Sequence, residues 1–410
     1  MAAPARTVTA ADVARAREAI DGVAKHTPVL PSQTLSDRTG ARVELKAESL
    51  QRTGSFKLRG ALSKLAALGE DCARGVTAGS AGNHAWALAQ AAAVRGVPCE
   101  VFMPDDAPLS KAEGCRALGA VVRVGGASVE DCVALAQARA QEAGMAFVHP
   151  FDDPDVVAGQ GTLGLELLED VPDLARVIVP VGGGGLASGM AIAIKSARPE
   201  VEVVGVQVDT MAVYREALRD GGGRVDVVER ALTIADGIAV KRPGELTFAL
   251  IREWLDEIVV VPDDEVAEAM VLLMERAKLV VEGAGAVGVA ALLGGQATAA
   301  PTGTTVVVLS GGNVDPGLLA TIARRHETEA GRRLVVFTRV PDRPGSLARL
   351  LALVGEAGAN LVDVEHVREG LDLHVRETAV QLVLETRGRE QSSAVLERIR
   401  EAGYEARVVR

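Results

Sequence analysis

A lysine stands within the run Ser55-Phe56-Lys57-Leu58-Arg59-Gly60, and consecutive glycines, Gly182, Gly183, Gly184 and Gly185, lie far downstream. An unprotonated lysine amine attacks an aldehyde to give a Schiff base. A glycine run lets successive backbone amides turn toward one point and hold an anion. Two further segments carry polar groups: Ser80-Ala81-Gly82-Asn83-His84-Ala85 and Ser310-Gly311-Gly312-Asn313. Each has a plainer reading. Lys57 beside Arg59 could be a solvated charge at a helix start, and the glycines a flexible turn. His84 could be a cap or packing residue rather than a base, and Ser310 part of a strand-to-helix turn.

Context separates these readings. Thr53-Gly54-Ser55 is a turn with hydroxyls and amides just ahead of a helix, a geometry friendly to anions. The glycine run follows an apolar stretch, 177–181, and precedes a helix-like one, 187–196, whose positive dipole end faces the same anion. It is no Walker loop, because no Gly-Lys-Ser/Thr follows, and it lacks the dinucleotide spacing. Pyridoxal 5'-phosphate is the common small molecule that needs both an amine for its aldehyde and main-chain donors for its phosphate. Asn83 could then meet a ring hydroxyl, and Ser310 a heterocyclic nitrogen.

Such groups need a scaffold that brings distant loops together. Short apolar runs at 43–48, 76–80, 99–103, 121–124, 177–181, 201–207, 258–261 and 305–309 read as strands. Most are continuously apolar, as expected of strands buried on both faces of a parallel sheet. Helical stretches such as 83–95 and 111–118 lie between them, and Thr9-Ala10-Ala11-Asp12 is a capping box opening a helix to about Val23. The β-then-α rhythm predicts an α/β fold, with ligands at the carboxyl ends of strands. The rhythm changes near the C-terminus. Residues 326–333 are charged and polar, a predicted linker, and 334–410 read as βαββαβ, the ferredoxin-like α+β order.

Composition narrows the class. At 410 residues the chain exceeds one ordinary core. Its net charge of −11 speaks against nucleic acid as partner. No apolar stretch reaches the roughly 20 residues of a membrane span, and no apolar segment of a signal peptide follows the N-terminus. Cys72, Cys99, Cys115 and Cys132 are widely spaced, which speaks against zinc and disulfides and for a reducing cytoplasm.

The four polar segments, in this order, resemble the threonine ammonia-lyase (threonine dehydratase) family of fold-type II pyridoxal-phosphate enzymes. The likeness spans residues 10–325 and includes Asp152-Asp153-Pro154, Gly159-Gln160-Gly161-Thr162, Ala235-Asp236-Gly237 and Val281-Glu282-Gly283-Ala284-Gly285-Ala286. The tail, with Asp342-Arg343-Pro344-Gly345-Ser346-Leu347, resembles an ACT domain, a regulatory fold that often binds amino acids. The resemblance implies two open twisted-sheet subdomains, like those of the tryptophan synthase β subunit. The catalytic domain would be 1–325, with a small subdomain at about 50–150 inserted in the large one.

The resemblance also implies roles. Lys57 would join the cofactor aldehyde and later take the Cα proton. Phe56 and Asn83 would contact the ring, Asn83 at its 3'-hydroxyl. Gly182, Gly183, Gly184, Gly185 and Leu186 would bind the phosphate, and Ser310 the pyridine nitrogen. Ser80, Ala81, Gly82, Asn83 and His84 would receive the substrate. A neutral hydroxyl does not hold the ring nitrogen protonated, which favours elimination. The implied reaction turns L-threonine into 2-oxobutanoate and ammonia, and L-serine into pyruvate. Isoleucine or valine would be the effector, and a homodimer or homotetramer the assembly. Serine racemase is the near rival, but racemases of this kind place a serine where this chain has Ala81. A β-replacing synthase of the same fold is also compatible with these motifs, and an amino-acid-binding regulatory protein is the rival from a different class. Gln207 stands where some relatives hold a cation with a glutamate, so no tight carboxylate metal site is expected.

Overall fold

The computed structural model describes residues 7–107, 109–221, 232–367 and 374–409. It divides into two compact units, one up to Val314 and one from Asp315 onward.

The first unit holds two sheets. One is six-stranded, in the order Val29–Pro31, Arg42–Ala47, Thr304–Leu309, Leu174–Pro180, Glu202–Val208, Glu257–Val261. All neighbours are parallel except the first pair. The other sheet is four-stranded and parallel, in the order Val121–Val124, Cys99–Met103, Val76–Gly79, Ala146–Phe147. Its central strand Val76–Gly79 is wholly buried, as is Thr304–Leu309 in the larger sheet. Both therefore read as unbroken apolar runs. The eight expected strands of this region are all present, with ends shifted by up to three residues.

One helix, which the Asp152-Asp153-Pro154 segment opens and which carries Gly159-Gln160-Gly161-Thr162, ties the loops together. Pro154–Asp170 starts with a proline in its first turn and the Asp153 carboxylate on its leading amides. It packs on helix Lys57–Leu68 and on helix Gly185–Ala197, which carry the lysine and the glycine run. Glycines bring the backbones close. A Cβ at Gly159 would lie 2.6 Å from the Arg59 carbonyl oxygen, and one at Gly161 would lie 2.7 Å from that of Gly189. Alanine at either place would push the helices apart.

The second unit contains helix Pro316–Glu329 and a four-stranded antiparallel sheet, ordered Asn360–Val367, Glu377–Glu385, Arg333–Pro341, Arg407–Val408. Helices Ser346–Glu356 and Arg389–Glu401 complete the βαββαβ order, with an apolar cluster that includes Val336, Leu350, Leu382 and Ile399. The expected linker 326–333 is largely ordered. Its first four residues end helix Pro316–Glu329, and Arg333 opens a strand. That helix falls in the second unit, whereas the sequence boundary at 325 placed most of it in the first. Among the described residues, no helix is long and apolar enough to cross a membrane.

Candidate active site

Lys57 opens its helix, so its side chain leaves the first turn. Its Nζ donates to the Pro150 carbonyl at 2.8 Å and sits 5.2 Å from the Phe56 ring centroid. Burial pushes its ammonium down to about 8, while the facing Glu282 charge works the other way. Main-chain bonds hold this segment to the Ser310 turn. Phe56 N–H donates to the Ser310 carbonyl at 3.1 Å, and Gly312 N–H to the Gly54 carbonyl at 2.9 Å. Ser55 pairs with Gly311 as an isolated bridge.

The glycine run follows strand Leu174–Pro180 and leads into helix Gly185–Ala197. Among the described residues, the N–H groups of Gly183, Gly184, Gly185 and Leu186 meet no protein acceptor. These are the unsatisfied donors of a helix N-terminus, together with its positive dipole end. Side chains are excluded there. A Cβ at Gly183 would collide with the Phe151 ring, and one at Gly182 would lie 2.8 Å from Ile238 Cα. Gly184 has a φ of 84°, a left-handed conformation that favours glycine. The Tyr214 hydroxyl donates to the Gly183 carbonyl at 2.7 Å and shapes the loop from below. Phe151 follows Pro150, so the lysine's acceptor and the glycine loop's wall are chain neighbours.

The Ser80–Asn83 loop ends strand Val76–Gly79 and opens helix Asn83–Arg95. Ser80 Oγ accepts from Gly82 N–H at 3.2 Å. The N–H groups of Ala81, Asn83 and His84 meet no acceptor among the described residues, a second anion-ready edge. His84 brings only its main chain to this edge. Its ring is buried, its Nε2 bonds the Val148 carbonyl at 3.0 Å, and burial beside Lys57 pushes it down to about 3. A histidine that stays neutral and is bonded to a carbonyl is no base at neutral pH.

Asn83 faces Glu282, which lies in a segment that carries the resemblance but was given no role. Asn83 Nδ2 donates to Glu282 Oε1 at 2.7 Å. Glu282 is 5% exposed, and burial, then the Asp236 charge, push its carboxyl up to about 7. Asn313, which lies in the Ser310 segment, was likewise given no role, and Lys111 and the Pro150 carbonyl were unmarked. Lys111 Nζ pairs with Asp236 at 3.6 Å and lies 3.3 Å from where a Cβ of Gly82 would be. Gln207 is engaged elsewhere. Its Nε2 donates to the Val181 and Met211 carbonyls at 3.3 Å each, and its Oε1 accepts from Arg215 N–H.

Ser310 as a residue is 2% exposed, and its hydroxyl meets no partner among the described residues. Ser55 Oγ is buried and unpartnered too. Hydroxyls left without a partner in a protein interior are uncommon, and a bound molecule is one way to complete their bonding. An amine, a bare amide cradle and a waiting hydroxyl are what pyridoxal phosphate requires.

Residues 20–311 match the pyridoxal-phosphate dependent enzyme family. The chain belongs to that family. Residues 334–403 match the ACT domain. An L-threonine ammonia-lyase of Thermotoga maritima is 44% identical over 403 residues, which is 98% of this chain and all of that one. A solved threonine deaminase from T.th. is 42% identical with a TM-score of 0.70, covering 75% of this chain and 99% of that one. Maize serine racemase is 32% identical with a TM-score of 0.73, covering 79% of this chain and 99% of its own. The fold thus hosts both lyases and racemases.

Proposed function

We propose that this chain eliminates water from L-threonine, and from L-serine, and that a water returns when the released enamine is hydrolysed, giving 2-oxobutanoate or pyruvate and ammonia. The observation that carries the reading is a buried Lys57 amine bonded to Pro150, whose chain neighbour Phe151 walls the glycine loop with its unpartnered amides. Pyridoxal phosphate, bound there, supplies an electron sink for the pair released at Cα. Gly183, Gly184, Gly185 and Leu186 would hold its phosphate, Asn83 its ring oxygen and Ser310 its ring nitrogen, with Phe56 beside the amine.

The chain's own residues do the rest. Lys57 takes the Cα proton, which it can do because burial lowers its proton affinity toward the working pH. The N–H groups of Ala81, Asn83 and His84 receive the substrate carboxylate and fix the orientation of Cα. Ser310 presents a neutral hydroxyl, so the ring nitrogen is not held protonated. Racemisation would need a second proton carrier on the opposite face of Cα. Ala81 offers only a methyl where the resemblance to racemases calls for a serine. Elimination is therefore favoured.

The C-terminal unit supports amino-acid regulation, with isoleucine or valine as effector. Its edge strand Asn360–Val367 exposes Leu361 and Val362, which suits pairing of copies into a dimer or tetramer. Four buried free thiols favour a reducing compartment, the cytoplasm. The test is a steady-state assay of the intact chain with threonine or serine, with and without isoleucine and valine. Ammonia and 2-oxobutanoate from threonine alone are expected, with rates altered by the effector. Inversion of serine without ammonia would instead assign a racemase, and a requirement for an added thiol would assign a synthase.

A further inference from the structure

The Asn83 amide is engaged on both sides. Its Nδ2 donates to Glu282 Oε1 at 2.7 Å, and its Oδ1 accepts from Asn313 Nδ2 at 2.8 Å. The same Asn313 Nδ2 donates to the Thr53 carbonyl at 2.8 Å. A main-chain carbonyl can only accept, so Asn313 must turn its amino group toward Thr53. Both of that nitrogen's hydrogens are then used, one on Thr53 and one on Asn83. Were Asn83 flipped, amino group would face amino group. The arrangement therefore leaves Asn83 with one free N–H and permits it no other presentation.

The two supporting residues are built in. Glu282 accepts from Asn83, and its own N–H donates to the Gly311 carbonyl at 3.1 Å. Glycine makes the room. A Cβ at Gly54, where φ is 69°, would collide with the Asn313 side chain, and one at Gly311 would collide with the Glu282 carboxylate. Lys57, Lys111 and Asp236 are the charges that face Glu282 from three other elements.

We propose that Asn313 and Glu282 are positioning residues that lock the Asn83 amide as a hydrogen-bond donor toward the ring oxygen of the bound cofactor. A donor fixed there stabilises the ring oxygen in its ionised form. The inference rests on the reading that pyridoxal phosphate occupies this site.

The experiment strips the full-length protein of cofactor and measures its affinity for two ligands by equilibrium ultrafiltration. One is pyridoxal 5'-phosphate, and the other is the same molecule without its 3-hydroxyl. Asn313→Ala and Glu282→Ala should each weaken the natural ligand on the order of tenfold, the worth of a charge-assisted hydrogen bond. Both should leave the deoxy ligand within about twofold. Glu282→Gln should retain most of the affinity, because its carboxamide oxygen still accepts from Asn83. Thermal melting of each stripped variant reports its folding. Parallel losses for both ligands would overturn the inference and leave only a structural role. So would unchanged affinity for the natural ligand. If the unmodified protein bound neither ligand, the cofactor reading would fall first and the inference with it.

Discussion

Arg59 lies two residues beyond Lys57 on the same helix and is 1% exposed. Its Nε and Nη2 reach Glu48 at 2.9 Å each, and its Nη1 and Nη2 reach Glu166 at 2.6 and 3.0 Å. Thr162 Oγ1 and the Lys25 carbonyl take further bonds at 3.2 and 3.1 Å. Replacing Arg59 with Met keeps much of the bulk and removes every one. Glu166 would retain Lys46 at 2.7 Å, but Glu48 would keep only the Thr27 hydroxyl and the more distant Lys46 charge. One fully buried carboxylate is then stranded, a loss of about 3–5 kcal/mol. The pH dependence follows. Burial pushes the Glu48 carboxyl up, but Arg59, Thr27 and Lys46 bring it below its ordinary value. Its contribution is therefore present above the ordinary carboxylate range and lost as pH falls through the lowered folded value. Without Arg59, burial dominates and the folded value rises, so ionised Glu48 destabilises the variant as pH rises. The gap between the two proteins should be largest near pH 8 and shrink near pH 5. Urea unfolding of the first unit at both pH values, followed by the fluorescence of Trp86 and Trp254, measures it. A loss under about 1 kcal/mol, or a gap that ignores pH, would refute the idea that this network pins the lysine helix.

Three other outcomes are expected. Uptake of pyridoxal phosphate by stripped protein needs unprotonated Lys57, so its initial rate, read in the near-visible, should climb through pH 8 and level off above. A climb delayed to the ordinary lysine range, about 10.4, would contradict the burial argument. Gly183→Ala should cost about 1–3 kcal/mol in a thermal melt and at least tenfold in cofactor retention, because its methyl meets the Phe151 ring. Lys111→Met removes the ammonium beside the Gly82 backbone. It should raise the KM for threonine about tenfold and change kcat little, which initial-rate kinetics would show.

Part of this site was suggested by residue types, an amine ahead of a helix and glycines between strand and helix, but each had a plainer reading and the roles came from the family resemblance. Buried parallel strands announce themselves as apolar runs. What escaped was of a different nature. The Pro150 carbonyl that receives Lys57 is main chain, and any residue could supply it. Glu282 precedes a helix of glycine and alanine, where a carboxylate reads as an ordinary N-terminal charge, yet it lies inside the site. Asn313 acts only through contacts made 230 and 260 residues away in sequence, with Asn83 and Thr53. The polar stretch at 326–333 looked like a linker because its charges face solvent. Arg325 and Glu329 in fact pair one helical turn apart, and the helix start is capped by Asp315 ahead of Pro316. His84 carried a plausible chemical group, but burial against the Val148 carbonyl removes it from acid–base work.

Borohydride reduction of the cofactor-loaded protein, followed by digestion and mass mapping, tests the whole account most directly. A stable pyridoxyl adduct on Lys57 is expected, with ammonia release from threonine abolished by the reduction. An adduct on another lysine, or no adduct in a protein that still releases ammonia, would contradict it.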